Sequence, residues 1–441
     1  MNNPERIKSV LTQCIAALCQ TPNDFIKNPV KDFTRNRKLP LKSMIYAILR
    51  LGNKSLPNEI LDIFNCSADM PSVSAFVQQR EKIKSSAFEK IFSDFNSRTQ
   101  SNDLYKGYRL LAVDGSSLRI FTNTNDSDTY FPNQGKPFNM LHINAMYDLL
   151  SHTYSDVIVQ PGHQANESAA FTALVDKFDN HNKPTIFMAD RSYESYNNLA
   201  HVQEKGLNFL IRIKDAQSRC GIADTLSLPD GSFDKTFNLL LTRKQTKDTK
   251  ELFKNKDKYK YISASTTFDY LPQRSRKNDP TLFYSLSFRI VRFKITDDSY
   301  ETVITNLDST NFPAQEIKKL YAMRWGIETS FRDLKYTIGL LHLHSKKVEL
   351  ICQEIFAAII MYNFSELITS HVVIQQRGKR YHYQINFSSA ANICKKFLFG
   401  ITNLTDVETL IGKFVLPVRK NRKHIRNMSP KASMSFVYRM A

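Results

Sequence analysis

The sequence is short of several things that would have fixed its class at once. Its six cysteines, Cys14, Cys19, Cys66, Cys220, Cys352 and Cys394, show no C-x-x-C spacing and no nearby histidine pairs. That excludes a zinc ribbon and a disulfide framework, and favours a reducing cytoplasm. No stretch approaches 18 uninterrupted apolar residues, and the N-terminus carries Glu5, Arg6 and Lys8 instead of an apolar leader core. The expectation is therefore a protein neither secreted nor membrane-spanning. Repeats and low-complexity tracts are missing, and there is a single tryptophan, Trp325. Acidic residues are the minority charge, with 42 Asp and Glu against 61 Lys and Arg.

The remainder is globular in composition, at 42% hydrophobic and 11% aromatic over 441 residues, long enough for two or three domains. A formal net charge of +19 points to a polyanionic partner, because clustered cations gain affinity by releasing counterions from phosphates. Nucleic acid is the first expectation.

Residues 1–100 read as short helices, with Arg35, Arg37 and Lys38 close together and a segment SAFVQQREKI whose Gln78, Gln79 and Arg80 could reach base edges from a recognition helix. An ordinary helical domain with a polar outer face is the equal alternative. In 101–214 the pattern changes to α/β. LLAVD reads as a short strand ending in Asp114, with Gly115 making the turn. MLHINAMYDL and TYSDVIVQ are further strands, NESAAFTALVDKF is a helix, TIFMAD is a buried strand ending in Asp190, and a helix and a strand NFLIRIK follow. Three strands, helix, strand, helix, strand, with acids ending the first and fourth strands, matches a ribonuclease-H-like α/β domain.

Residues 215–310 read as a β-rich insertion with a Lys-rich first half and a hairpin second half. The catalytic domain resumes over 311–370 with a long apolar helix from Ser345 to about Thr369. The region 371–441 is basic, with 13 Lys or Arg against 2 Asp or Glu, and includes RKNRKHIR. It is the second choice, after the N-terminal helices, for reading DNA sequence.

The stretch YAMRWGIETSFRDLK, Tyr321 to Lys335, carries the chemistry. As one continuous helix it would set Tyr321, Arg324, Glu328 and Lys335 at about 0°, 300°, 340° and 320° around the axis, on one narrow face. A salt-bridged solvent face, with Glu328 paired to Arg332, is the ordinary reading of that segment alone. Joined with Asp114 and Asp190, Glu328 makes a set of hard oxygen donors suited to two-metal phosphodiester chemistry.

At these residues the chain resembles the DDE transposases of bacterial insertion sequences, specifically the cut-and-paste branch with a β-strand insertion. The spacing Y-x2-R-x3-E-x6-K, VDGS at 113–116 and ADRSY at 189–193 carry the likeness, which runs over roughly 110–365. The resemblance implies that Asp114, Asp190 and Glu328 are catalytic and bind two Mg2+ ions, for which Mn2+ can substitute. It implies that Tyr321, Arg324 and Lys335 hold DNA phosphates at the transposon ends. The implied reaction is cleavage at terminal inverted repeats of double-stranded DNA and transfer of the 3′ hydroxyl into target DNA, by a homodimer, in a bacterial cytoplasm at the nucleoid. A catalytically silent DNA-binding remnant and a structure-specific nuclease on the same fold are the alternatives.

The sequence departs from the family pattern at Ser192, where the second motif usually has glycine, and in an insertion without the tryptophan that relatives use to hold a flipped base. Phe288, Phe293 and Tyr300 are the candidates for that task, and Trp325 is expected to be packed. His342 and His344 are expected to be structural or DNA-facing.

Overall fold

The computed structural model describes residues 3–35, 38–132, 135–179, 183–215, 218, 221–273, 279–296, 299–374, 376, 381–400 and 406–418. Arg37 and the RKNRKHIR segment lie outside them.

Five helices open the chain: α1 Asn3–Gln20, α2 Leu41–Arg50, α3 Leu56–Ile63, α4 Val73–Arg80 and α5 Ser86–Thr99. Strands follow as β1 Arg109–Ile120, β2 Tyr130–Phe131, β3 Phe138–Asp148 and β4 Thr153–Pro161. Then come α6 Glu167–Lys177, β5 Thr185–Ala189, α7 Tyr196–Glu204 and β6 Asn208–Arg212. The next segment holds β7 Phe233–Thr242, α8 Lys247–Leu252, β8 Tyr259–Tyr261 and the hairpin β9 Tyr284–Thr296 with β10 Ser299–Thr305. The chain continues through α9 Ala314–Met323, α10 Trp325–Asp333, α11 Val348–Thr369, β11 His382–Ile385, α12 Phe387–Leu398, α13 Val407–Lys413 and β12 Val415–Val418.

One mixed sheet organises this list. Its order is β2-β3-β1-β5-β6-β10-β9-β7-β8, with β4 also on β3. Around the centre, β4, β3 and β1 are antiparallel neighbours while β1, β5 and β6 run parallel. The segment read as an insertion pairs through β10 with β6 and so extends this sheet.

Side-chain alternation divides β1 between two cores. Leu110, Ala112 and Leu118 face a core shared with α1, α2, α5, α11 and α12. Leu111 and Val113 face a second core with α6, α7, β7 and β9. The N-terminal helices therefore bury their apolar faces in the same core as one face of the sheet. Helix α11 is apolar around nearly its whole circumference because it is packed on all sides. It is long and apolar enough to cross a membrane, yet its apolar stretch is mostly buried inside the protein.

Two expectations are corrected here. Strand β1 does not end at Asp114 but runs on to Ile120, with Gly115 paired to Asn144 in β3 and no turn at that point. Gly115 is needed for space: a Cβ there would lie 2.5 Å from both His142 Nε2 and Glu167 Oε1. The second correction concerns α4. Gln79 and Arg80 are buried and cannot reach base edges. Gln79 Nε2 donates to Leu39 O at 3.0 Å, and Arg80 donates to Gln353 Oε1 at 2.9 Å and Leu350 O at 2.6 Å while pairing with Glu354 at 2.9 Å. Of the three, Gln78 alone is exposed.

The Arg80 cluster is the polar joint between the N-terminal helices and α11. Glu354 also accepts from the backbone N–H of His344 and lies 3.1 Å from its Nδ1. Burial pushes the Glu354 carboxyl up, but Arg80 and His344 together outweigh it and hold the group below its ordinary value. Removing one partner of such a pair leaves a bare buried charge. Arg80→Ala should lower unfolding stability by about 3–5 kcal/mol in denaturant titrations. The double variant Arg80→Met, Glu354→Leu should recover much of that loss.

Candidate active site

The parallel pairing of β1 with β5 places Val113 opposite Ala189. The next residues, Asp114 and Asp190, therefore leave neighbouring strands about 4.8 Å apart. Alternation turns Asp114 to the same side as Ala112, toward the core that α10 covers. Asp114 is partly buried and accepts from the Gly115 N–H at 2.8 Å. Its carboxyl is pushed up to about 7 by burial first, with the charges of Asp190 and Glu328 adding to the push and the Gly115 N–H and Arg324 opposing it. Asp190 ends β5 and caps the short turn Arg191–Tyr193, its Oδ1 accepting from Ser192 N at 2.8 Å and Ser192 Oγ at 2.6 Å.

Glu328 arrives on α10, but not from one continuous helix. The helix breaks at Arg324, which ends α9 and begins α10, and α10 passes into a π-helical turn over Leu334–Ile338 that closes at Gly339 with φ +101°. The four polar residues therefore come from α9, the residue that joins it to α10, α10 itself and the turn that follows, not from one uninterrupted helix. Arg324, buried at 4% exposure, donates from Nη2 to Glu328 Oε1 at 2.9 Å. Glu328 thus pairs backward with Arg324 and not forward with Arg332, which is exposed and 3.7 Å from Asp333. Lys335 reaches β1, donating to Ser116 Oγ at 2.7 Å and Ser117 O at 2.9 Å, and burial lowers its pKa. Tyr321 is buried at 2% exposure, with the Arg324 guanidinium 5.5 Å from its ring centre.

These residues leave polar atoms unused. Arg324 Nε and Nη1 and the Tyr321 hydroxyl are buried without a hydrogen-bond partner in the structure. Buried donors of this kind cost free energy unless an acceptor reaches them. Among the described residues no three Asp, Glu, His or Cys side chains form a ready-made metal cage. One oxygen of each acid is already hydrogen-bonded: Asp190 Oδ1 to Ser192, Glu328 Oε1 to Arg324, and Asp114 Oδ1 to Gly115.

Three further expectations are settled by burial. Trp325 is half exposed, with the Arg324 guanidinium 5.4 Å from its ring, so it is not packed. The close approach of α10 to the sheet is made one residue later, at Gly326, where a Cβ would stand 3.0 Å from Leu149. Phe288 and Phe293 are buried in the two cores, and Tyr300 stacks against Arg292 at 4.1 Å. None of these three is placed as an open stacking surface. His344 is buried against Glu354 and Lys54 O, which makes it structural.

The sequence reading missed a group beside the acids. His142 Nε2 lies 3.2 Å from Glu167 Oε1 over Gly115, and no spacing rule connects a mid-strand histidine to the first residue of α6.

The family model described as "Transposase DDE domain" matches residues 105–364, more than half of the chain. The chain therefore belongs to the DDE transposases, enzymes that hydrolyse and transesterify phosphodiester bonds in DNA. It is 24% identical over 414 residues to the transposase InsG for insertion sequence element IS4 of Escherichia coli strain K12, covering 88% of this chain and 85% of that protein. A solved piggyBac transposase synaptic complex with hairpin DNA aligns at TM-score 0.48 and 10% identity, over 98% of this chain and 88% of that one.

Beneath α10 lies a buried polar layer. Ser330 Oγ donates to Tyr154 Oη at 2.9 Å, the Tyr147 and Tyr362 hydroxyls are 3.2 Å apart, and burial pushes Glu366 up to about 8. Glu366 is thus protonated at neutral pH in the folded chain and ionised in the unfolded one. Its folded value is the higher, so stability falls as pH rises from about 4.5 toward 8. Glu366→Gln should flatten that fall, read as the slope of unfolding free energy against pH over this window.

Proposed function

We propose that this transposase cuts double-stranded DNA at the terminal inverted repeats of its own element and joins the freed 3′ hydroxyl to target DNA. Asp114, Asp190 and Glu328 would be the catalytic, metal-holding acids, on a ribonuclease-H-like core whose sheet order is β4-β3-β1-β5-β6. The observation that carries the reading is the placement of Asp114 and Asp190 side by side through the parallel β1–β5 register, with Glu328 near enough to add its charge to theirs at a carboxyl that burial already pushes up. A cluster of oxygen donors with excess negative charge is stabilised by a divalent cation, and Mg2+ keeps several waters, so it needs few carboxylates from each ion's surroundings.

Two Mg2+ ions, or Mn2+ in their place, would activate the attacking water and stabilise charge at the leaving 3′ oxygen. The chain's own residues do the rest. Arg324 holds Glu328 through Nη2 while Nε and Nη1 remain as charged donors that can each reach a phosphate oxygen. The Tyr321 hydroxyl is a further buried donor for the same phosphodiester. Lys335 adds positive charge beside β1 two residues past Asp114. The formal net charge of +19 supports a DNA partner along the wider surface, and bringing two transposon ends together calls for a homodimer.

The test is cleavage of DNA carrying the element's flanking repeats with Mg2+ or Mn2+. Wild type should nick at the repeat boundary, and Asp114→Ala, Asp190→Ala or Glu328→Ala should each abolish nicking while repeat binding persists. Arg324→Ala should lower the cleavage rate at least about 100-fold, since it removes a charged phosphate contact and frees Glu328. Tight repeat binding with no cleavage by wild type under either ion would support the DNA-binding remnant instead.

A further inference from the structure

Outside the acids, one cluster is built around the second of them. Ser192 Oγ donates to Asp190 Oδ1 at 2.6 Å, and the Ser192 N–H donates to the same oxygen at 2.8 Å. The Ser192 hydroxyl is also within hydrogen-bonding reach of Glu167, whose carboxyl is held below its ordinary value by His142 first and by Ser192 in addition. His142 is buried at 8% exposure, its Nε2 3.2 Å from Glu167 Oε1 but off the line of a good hydrogen bond. Its Nδ1 is 3.4 Å from Ser117 Oγ across the β1–β3 pair. The whole cluster sits over Gly115, next to Asp114, where any Cβ would collide with His142 and Glu167.

A hydroxyl has a single proton to give, so Asp190 and Glu167 compete for that of Ser192. The 2.6 Å bond puts the Ser192 proton on Asp190, and His142, 3.2 Å from Glu167, stands on the other side of the competing carboxylate. Both Ser192 bonds fall on Oδ1, which fixes the carboxylate plane and leaves Oδ2 for a ligand. We propose that Ser192, braced by the Glu167–His142 pair over Gly115, is a positioning latch that sets the orientation of Asp190 for divalent-metal binding. Ser192 stands at the position where the related motif usually has glycine, so this chain carries a side-chain latch where a glycine would leave only the backbone bond.

The inference rests on Asp190 being a metal ligand, and the experiment separates the two claims. Mn2+ binding to the full-length protein without DNA is measured by calorimetry, alongside the Mg2+ dependence of repeat cleavage. Ser192→Ala should weaken Mn2+ binding about 10-fold, the size usual when a ligand loses its hydrogen-bonding support. It should raise the half-saturating Mg2+ concentration by a similar factor, with lost rate recovered at high Mg2+. Ser192→Thr keeps the hydroxyl at an exposed position and should restore both. Gly115→Ala, if it folds, should reproduce the weakened binding from the other side of the cluster. If Asp190→Ala abolishes Mn2+ binding and cleavage while Ser192→Ala binds Mn2+ as wild type does, the latch is wrong and the site stands. If Asp190→Ala still cleaves, the site reading falls and the latch with it.

Discussion

The parallel register of β1 on β5 is the constraint on which the rest of the site depends. It sets Asp114 and Asp190 on adjacent strands with nothing between them. Every other element of the site answers the electrostatic problem this creates. Asp114 is partly buried and accepts one backbone hydrogen bond. Asp190 is tied to the turn that follows it. Glu328 brings a third negative charge, and Arg324 is the one guanidinium hydrogen-bonded to it. Arg324 and Lys335 stand against three acids, so the acidic groups outnumber the cations placed beside them.

Why α10 lies where it does follows from the two cores. Ile327 and Phe331 bury into the core that α11 fills, Gly326 allows close contact with Leu149, and Ser330 bonds Tyr154 below. The helix is thus fixed by three kinds of packing on its inner side. Its outer side is left to Trp325, Arg332 and Tyr336, all exposed. On α9, Tyr321 is buried near Glu301 and Arg212, while on α10 the Glu328 charge is felt at Asp114 on β1.

Much of this was legible in the sequence, and the reasons differ by element. The strands and helices of 101–214 were legible because apolar runs buried on both faces of a sheet are short and unbroken, as in TIFMA. The acids were read as lying at strand ends, which holds for Asp190, the residue after β5, whereas Asp114 lies within β1. Gly115 was misread because a glycine after an aspartate has the composition of a turn, whereas its real cause, two side chains arriving from β3 and α6, is non-local. Gln79 and Arg80 were misread for the same reason: polar residues on a short helix look exposed until distant partners, Leu39 O for Gln79 and Gln353 and Glu354 for Arg80, are supplied by the fold. The helix break at Arg324 has no proline or glycine to announce it.

What sequence spacing cannot express is competition for a proton or a lone pair, and that is what distinguishes a carboxylate poised for a cation from one spent on structure. Asp148 is acidic and buried, yet Arg109 at 2.7 Å and two backbone N–H groups consume it. Glu354 is likewise consumed by Arg80 and His344. Asp114 has one backbone hydrogen bond against burial and two repelling neighbours, and its proton affinity rises, through burial first. The difference between these acids lies in their partners, not in their residue type or burial. Of the three, Asp148 and Glu354 have their charge matched by a hydrogen-bonded cationic side chain, whereas the Gly115 hydrogen bond to Asp114 comes from a neutral backbone N–H.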